Sequence, residues 1–181
     1  MEDAQIIAMF ADERTREDAF SHLLKKYQQK IYWHVRRMVI DHDDADDVTQ
    51  DIFIKIWRNL EKFREDSQLY TWLYRIATNE CITFLNKKKQ KQNVSLDDDN
   101  SSYLSETLAD TTYFDGDKAQ MKLQQALLTL PEKQRLVFNM KYFEDLKYDE
   151  ISEILGTSVG ALKASYHLAV KKVENFFNNN D

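Results

Sequence analysis

The chain is predicted to be all-α, with two small helical domains joined by a flexible acidic linker. Three observations carry this. Only three Gly and one Pro occur in 181 residues, too few for the tight turns of a sheet. Apolar residues recur in steps of three and four, not two. The charge is also unevenly divided. Residues 1–92 hold 16 acidic and 16 basic side chains, residues 93–117 hold seven acidic and none basic, and residues 118–181 hold eight acidic and nine basic. The net charge of −6 therefore lies in "NVSLDDDNSSYLSETLADTTYFDGD", whose Ser, Thr, Asn and Asp content and lack of a sustained period predict a flexible linker. The boundaries follow: a domain over 1–92, the linker over 93–117 and a domain over 118–181.

The N-terminal domain begins "MEDAQIIAMFADER", an acidic start with a short apolar patch that is neither a secretion signal nor a membrane span. Phe20, Leu23, Leu24, Tyr27, Ile31 and Val35 form the stripe of a first helix. Val48, Ile52, Ile56 and Leu60 form a second, with Phe53 and Trp57 beside it. Between them lies "DHDDADD". It lacks the glycine and distal glutamate of a calcium loop, and its acids suit a helix N-terminus through the macrodipole. No metal is expected there.

Leu73, Ile76, Ala77, Cys81, Phe84 and Leu85 line a third, longer helix. Cys81 reads as a packed thiol, and as the single cysteine it excludes an internal disulfide and suits a reducing cytoplasm. The opposite face carries Arg75, Asn79, Thr83 and Asn86, followed by Lys87, Lys88, Lys89 and Lys91. Tyr70, Trp72 and Tyr74 stand at the helix start. Aromatics beside a basic, amide-bearing face suit stacking on melted or single-stranded DNA. The competing reading makes the aromatics core and the lysines partners of the helix dipole.

In the C-terminal domain, Leu123, Leu127 and Leu130 share a face, and Pro131 suits the first turn of the next helix. Leu136, Phe138, Met140 and Phe143 supply core. Ile151, Ile154 and Leu155 mark a short helix, Gly156 a left-handed C-cap and Ser158 an N-cap. Val159, Leu162, Tyr166, Ala169, Val173 and Phe176 then form a buried stripe. Two helices around a Gly-Thr-Ser turn make a helix-turn-helix. The outer face of the last helix holds Gly160, Lys163, Ala164, His167 and Lys171, with Leu168 at its border. Small residues there allow close approach to a groove, and the lysines suit phosphates or a guanine edge.

Taken together, "DDADDVTQDIFIKIWRNLEKF", "YTWLYRIATN" and "LPEKQRLVFNMKYFEDLKYDEISEILGTSVGALK" resemble, in order, a bacterial RNA polymerase sigma factor of the extracytoplasmic-function (ECF) class. The resemblance covers about residues 15–92 and 118–177. It implies a region 2 type domain, a region 4 type domain, and a factor that binds core RNA polymerase and directs initiation at promoter DNA. It implies no catalytic residue, no cofactor and a cytoplasmic location. Asp47, Gln50, Asp51, Phe53 and Trp57 match the surface that grips the polymerase clamp. Phe63, Arg64, Asp66, Ser67, Tyr70, Trp72, Arg75, Asn79, Thr83, Lys87 and Lys88 fall where the family opens and reads the −10 element, through a loop that holds a flipped base and a basic track for the backbone. Ser158, Lys163, Ala164, His167, Leu168 and Lys171 match positions that read the −35 element. The linker resembles the segment threaded through polymerase, and its acidity suits a channel built for nucleic acid. An anti-sigma factor, often membrane-bound in this class, is the implied inhibitory partner.

The chain departs from the pattern at Lys147, where Ser or Thr commonly caps a helix, and at Ser165 and Leu168, where arginine is common. These departures leave the −35 sequence open. Two other readings compete. A stand-alone helix-turn-helix regulator would bind its operator without polymerase, but has no need of the basic, aromatic helix at 70–91. A nuclease using the carboxylates of Asp41–Asp51 would need further catalytic groups, and none converges in the sequence.

Overall fold

The computed structural model describes residues 1–92, 104, 107, 108 and 118–180. Described elements are α1 (Asp3–Ala11), α2 (Arg16–Val39), α3 (His42–Asn59) with a 3-10 turn at Leu60–Lys62, and α4 (Leu69–Lys91). After the linker come α5 (Lys118–Leu128), α6 (Glu132–Tyr142), α7 (Tyr148–Leu155) and α8 (Val159–Asn179). No strand occurs among the described residues.

Helix α1 has no counterpart in the sequence reading. It is one apolar face and one tether. Ile6 and Phe10 are buried. Asp3 accepts hydrogen bonds from the Tyr27 hydroxyl at 2.8 and 2.9 Å and from Lys26 Nζ at 2.6 Å, which pins the helix to α2. The turn from α2 to α3 is tight. Ile40 takes φ 68°, and Arg36 donates to its carbonyl. Asp41 then caps α3 by accepting from the Asp44 N–H at 2.9 Å. The acidic run thus begins as a helix cap, and Asp44 pairs with Lys88 of α4. Among the described residues no group of three His, Cys, Asp or Glu side chains forms a metal site.

The predicted stripes of α2, α3 and α4 do face inward: Leu23, Tyr27, Ile31, Val35, Val48, Ile52, Ile56, Leu73, Ala77, Cys81 and Leu85 are buried. Pro131 sits one position earlier than expected, as the N-cap of α6 rather than in its first turn. Gly156 is left-handed at φ 67° and ends α7. Ser158 caps α8 by accepting from the Ala161 N–H at 3.3 Å.

The two halves share one core. Leu69, Leu73 and Ala77 of α4 belong to the same buried cluster as Leu136 and Met140 of α6, Leu146, and Ile151 and Ile154 of α7. Helix α4 packs against α2, α3 and α7. Leu104 and Leu108 of the linker join this cluster, and Leu104, Thr107 and Leu108 have helical backbone. The sequence reading found no sustained helical period here, and two leucines four apart are too few to register as one. The rest of the predicted flexible linker lies outside the described residues.

Candidate nucleic-acid interface

Three surfaces gather the residues singled out in the sequence. The first lies between α2 and α3, where a cleft of 1140 Å³ is lined by Asp47, Gln50, Phe53 and Trp57 together with Phe20 and Tyr32. Phe53 is buried and shapes the floor. Trp57 is 37% exposed, its ring held edge-on by Phe10 at 5.2 Å and Phe20 at 5.1 Å. Asp51 is exposed on the same helix but does not line the cleft. Ile54, 43% exposed, does line it and was not singled out, because one apolar residue off a core stripe carries no signal in sequence.

The second surface is the loop before α4 and the open side of that helix. Phe63 packs its ring on Trp72 with centroids 5.4 Å apart. Arg64 and Asp66 are exposed on either side of Glu65, which takes φ 56°. The Ser67 hydroxyl is buried and makes no hydrogen bond among the described residues. Arg75 is half-buried, while Asn79, Thr83, Asn86 and Lys87 point to solvent along one line. This line is the side of α4 left open by α2, α3 and α7. Lys88 is drawn into its pair with Asp44. Lys89, four residues beyond Leu85, continues the inward stripe and is buried. The basic end of α4 is therefore split between solvent and interior.

Tyr70 is engaged across the molecule. Its hydroxyl donates to Glu150 Oε1 of α7, and burial beside that carboxylate pushes its pKa up to about 12. The other oxygen, Oε2, accepts the Lys147 N–H at 3.1 Å. Lys147 thus starts α7 without a side-chain acceptor of its own, and Glu150 reaches back from the first turn in place of a Ser or Thr cap.

The third surface is the outer face of α8. Ser158, Gly160, Lys163, Ala164, His167, Leu168 and Lys171 are all exposed, Leu168 at 49%. Lys163 Nζ lies 5.8 Å from the Tyr148 ring centroid, which holds the lysine beside the turn. The opposite side buries Leu162, Ala169 and Val173, so the face is set by packing rather than by its own contacts.

Cys81 is fully buried in α4. Burial, reinforced by the charges of Glu80 and Glu144, pushes its thiol up, away from the reactive thiolate.

Comparison with known proteins finds two family models that match the chain. Residues 23–91 match Sigma-70 region 2, and residues 120–173 match Sigma-70, region 4. The chain is 34% identical over 158 residues to the ECF RNA polymerase sigma factor SigW of Bacillus subtilis, covering 83% of this chain and 84% of that one. It is 31% identical to the RNA polymerase sigma-H factor of Pseudomonas aeruginosa, covering 90% and 88%. The fold is similar to that of CnrH bound to the cytosolic domain of CnrY, with TM-score 0.67 at 21% identity and coverage of 98% and 96%. It is also similar to RpoE bound to the anti-sigma factor NepR from Bartonella quintana, with TM-score 0.71 at 20% identity and coverage of 90% and 98%. With a region 2 module carrying the cleft and α4, and a region 4 module carrying the helix-turn-helix, the chain belongs to the ECF family of RNA polymerase sigma factors, which direct core polymerase to promoter DNA and initiate transcription.

Proposed function

We propose that the three surfaces divide the work of initiation. The α2–α3 cleft, with Asp47, Gln50, Phe53 and Trp57, grips core polymerase, and Asp51 contributes charge beside it. The loop Phe63–Ser67 and the open line of α4 hold and melt the −10 element: Asn79 and Thr83 meet bases, Lys87 meets the backbone. The outer face of α8 enters the −35 major groove, with Lys163 and Lys171 on phosphates or guanine and His167, Ala164 and Leu168 against base edges. The single observation that carries this reading is the open line on α4. That helix is packed on its other sides, yet it leaves an amide, a hydroxyl and a lysine in register and uncovered.

The chain acts as an initiation factor and not as an enzyme, working in the cytoplasm without a cofactor. No helix among the described residues is long and apolar enough to cross a membrane. An anti-sigma protein is its expected inhibitor, a reading supported by the similar fold of RpoE, whose structure is described as a complex with the anti-sigma factor NepR. Run-off transcription with core polymerase on genomic promoter fragments tests the reading. The wild-type chain should start transcripts at discrete promoters. Asp47→Lys with Asp51→Lys should abolish them and weaken co-purification with polymerase while helicity stays intact. Full activity in that folded variant would refute the cleft assignment.

A further inference from the structure

Helix α1 lies behind the α2–α3 cleft rather than in it, and none of its residues lines that cleft. Its buried Phe10 nevertheless packs on two residues that do. The Trp57 ring of α3 stands edge-on to it at 5.2 Å, and the Phe20 ring of α2 lies 6.5 Å away. Phe20 and Trp57 also meet each other at 5.1 Å, so three rings form one cluster and the cleft is lined by two of them. Phe10 is itself locked. Arg16, the first residue of α2, donates from Nε to the Phe10 carbonyl at 3.1 Å and sets its guanidinium 5.1 Å from the centre of the Phe10 ring. The same guanidinium pairs with Glu61, in the 3-10 turn just beyond Trp57. The Thr15 hydroxyl donates to the Met9 carbonyl at 2.7 Å. Both carbonyls belong to the last turn of α1, which carries no basic residue of its own to answer them. With Asp3 bound to Tyr27 and Lys26 at the other end, α1 is tied down at both ends.

We propose that α1 is a strap that positions Trp57 for core polymerase, with Phe10 and Arg16 as positioning residues that act through that ring. The inference rests on the reading of the α2–α3 cleft as the polymerase grip. Trp57 is 37% exposed at the edge of an open cleft. An indole in that setting has several staggered rotamers open to it, and only its neighbours select one. Phe10 and Phe20 do so at interplanar angles of 85° and 79°, the edge-to-face arrangement that aromatic pairs favour. A leucine at position 10 would fill the same core but offer Trp57 no ring. A partner that meets one fixed ring loses less freedom on binding than one that must order it first. Arg16 is suited to its place by shape. A planar fork reaches a carbonyl, a ring and a carboxylate together, which a single ammonium does not. Its pair with Glu61 is partly exposed, so that contact serves geometry more than stability.

The test uses the full chain labelled with 5-fluorotryptophan and purified core RNA polymerase. The Trp57 fluorine resonance is assigned by its loss in Trp57→Phe. In Phe10→Leu that resonance should shift or broaden while those of Trp33 and Trp72 stay in place. Affinity for core polymerase should fall about tenfold, as when the fraction of chains in the competent geometry drops from nearly all to a tenth. Run-off transcription at saturating factor should match wild type, because the bound complex is unchanged. Within Trp57→Ala, adding Phe10→Leu should cost no further affinity. A folded Phe10→Leu chain with an unmoved Trp57 resonance, or with wild-type affinity, overturns the strap. So does a further loss of affinity within Trp57→Ala. Arg16→Lys is the second variant and carries the test if Phe10→Leu does not fold. It keeps a charge for Glu61, gives up the bond to the Phe10 carbonyl, and should move the same resonance and the same affinity. Its failure to move either is equally fatal. Trp57→Ala alone separates the two ideas: wild-type affinity there removes the cleft reading itself, whereas weakened binding upholds the cleft whether or not the strap survives.

Discussion

His34 and Glu144 lie 110 residues apart in sequence, yet their side chains meet at 2.6 Å in a site that water does not reach. A carboxylate only accepts, so Nδ1 must carry the hydrogen, which fixes the imidazole in one orientation and turns Nε2 to Thr78. Tyr74 stands edge-on to that ring at 5.2 Å, and burial beside Glu144 pushes its hydroxyl up. One glutamate from the helix-turn-helix module thus organises the interior of the other module.

Glu144→Ala should cost about 3 kcal/mol of the inter-module contact, the usual penalty for removing one partner of a buried charged pair. Hydrogen exchange at the backbone amides of 143–147 should accelerate accordingly, while exchange in the middle of α8 stays near wild type. Equal acceleration everywhere would mean that Glu144 supports global folding instead.

Asn79→Ala and Lys163→Ala should fail at different steps. The first should leave closed complexes intact and lose permanganate reactivity of −10 thymines. The second should weaken closed-complex affinity on duplex and pre-melted templates alike, with the salt slope reduced by about one unit for one phosphate contact. A common failing step would refute the division between α4 and α8.

Cys81 should be silent to thiol reagents at neutral pH in the folded chain and react fully in urea. Its burial and the neighbouring carboxylates both disfavour the thiolate. Rapid modification of the native protein would show that α4 opens locally.

Tyr70 gives a pH signature. Its folded pKa of about 12 lies above the ordinary phenol value of 10.0. The folded state therefore holds this proton more tightly than the unfolded one, and the stabilisation is complete below pH 10 and lost as pH rises through 12. Tyr27 and Tyr74 are shifted in the same direction. Stability should be flat with respect to tyrosine ionisation up to about pH 9 and fall steeply above 10. In Tyr70→Phe that fall should be shallower. An identical alkaline profile would remove Tyr70 from the contact.

Much of this architecture was legible because helices repeat. The stripes of α2, α3, α4 and α8 are read from spacing alone, and the exposed faces of α4 and α8 follow as their complements. Gly156 and Ser158 mark the turn by chemistry that acts within a few residues. What escaped the sequence is whatever joins distant positions. His34 sits on the inward side of α2, where nothing local distinguishes a buried imidazole that has a partner from one without. Lys89 looked like a member of a basic run, yet its step of four from Leu85 carries it inside. Helix α1 was missed because its single apolar face is only two residues deep.

The shared role of Glu150 bears on how mutations here would be inherited. One oxygen starts α7 and the other holds Tyr70, so no loss of this side chain can affect one task alone. Alanine at 150 should therefore loosen the start of α7 and release Tyr70 together, whereas loss of the Glu144 side chain leaves the start of α7 intact and unsettles His34 and Arg37 of α2 instead.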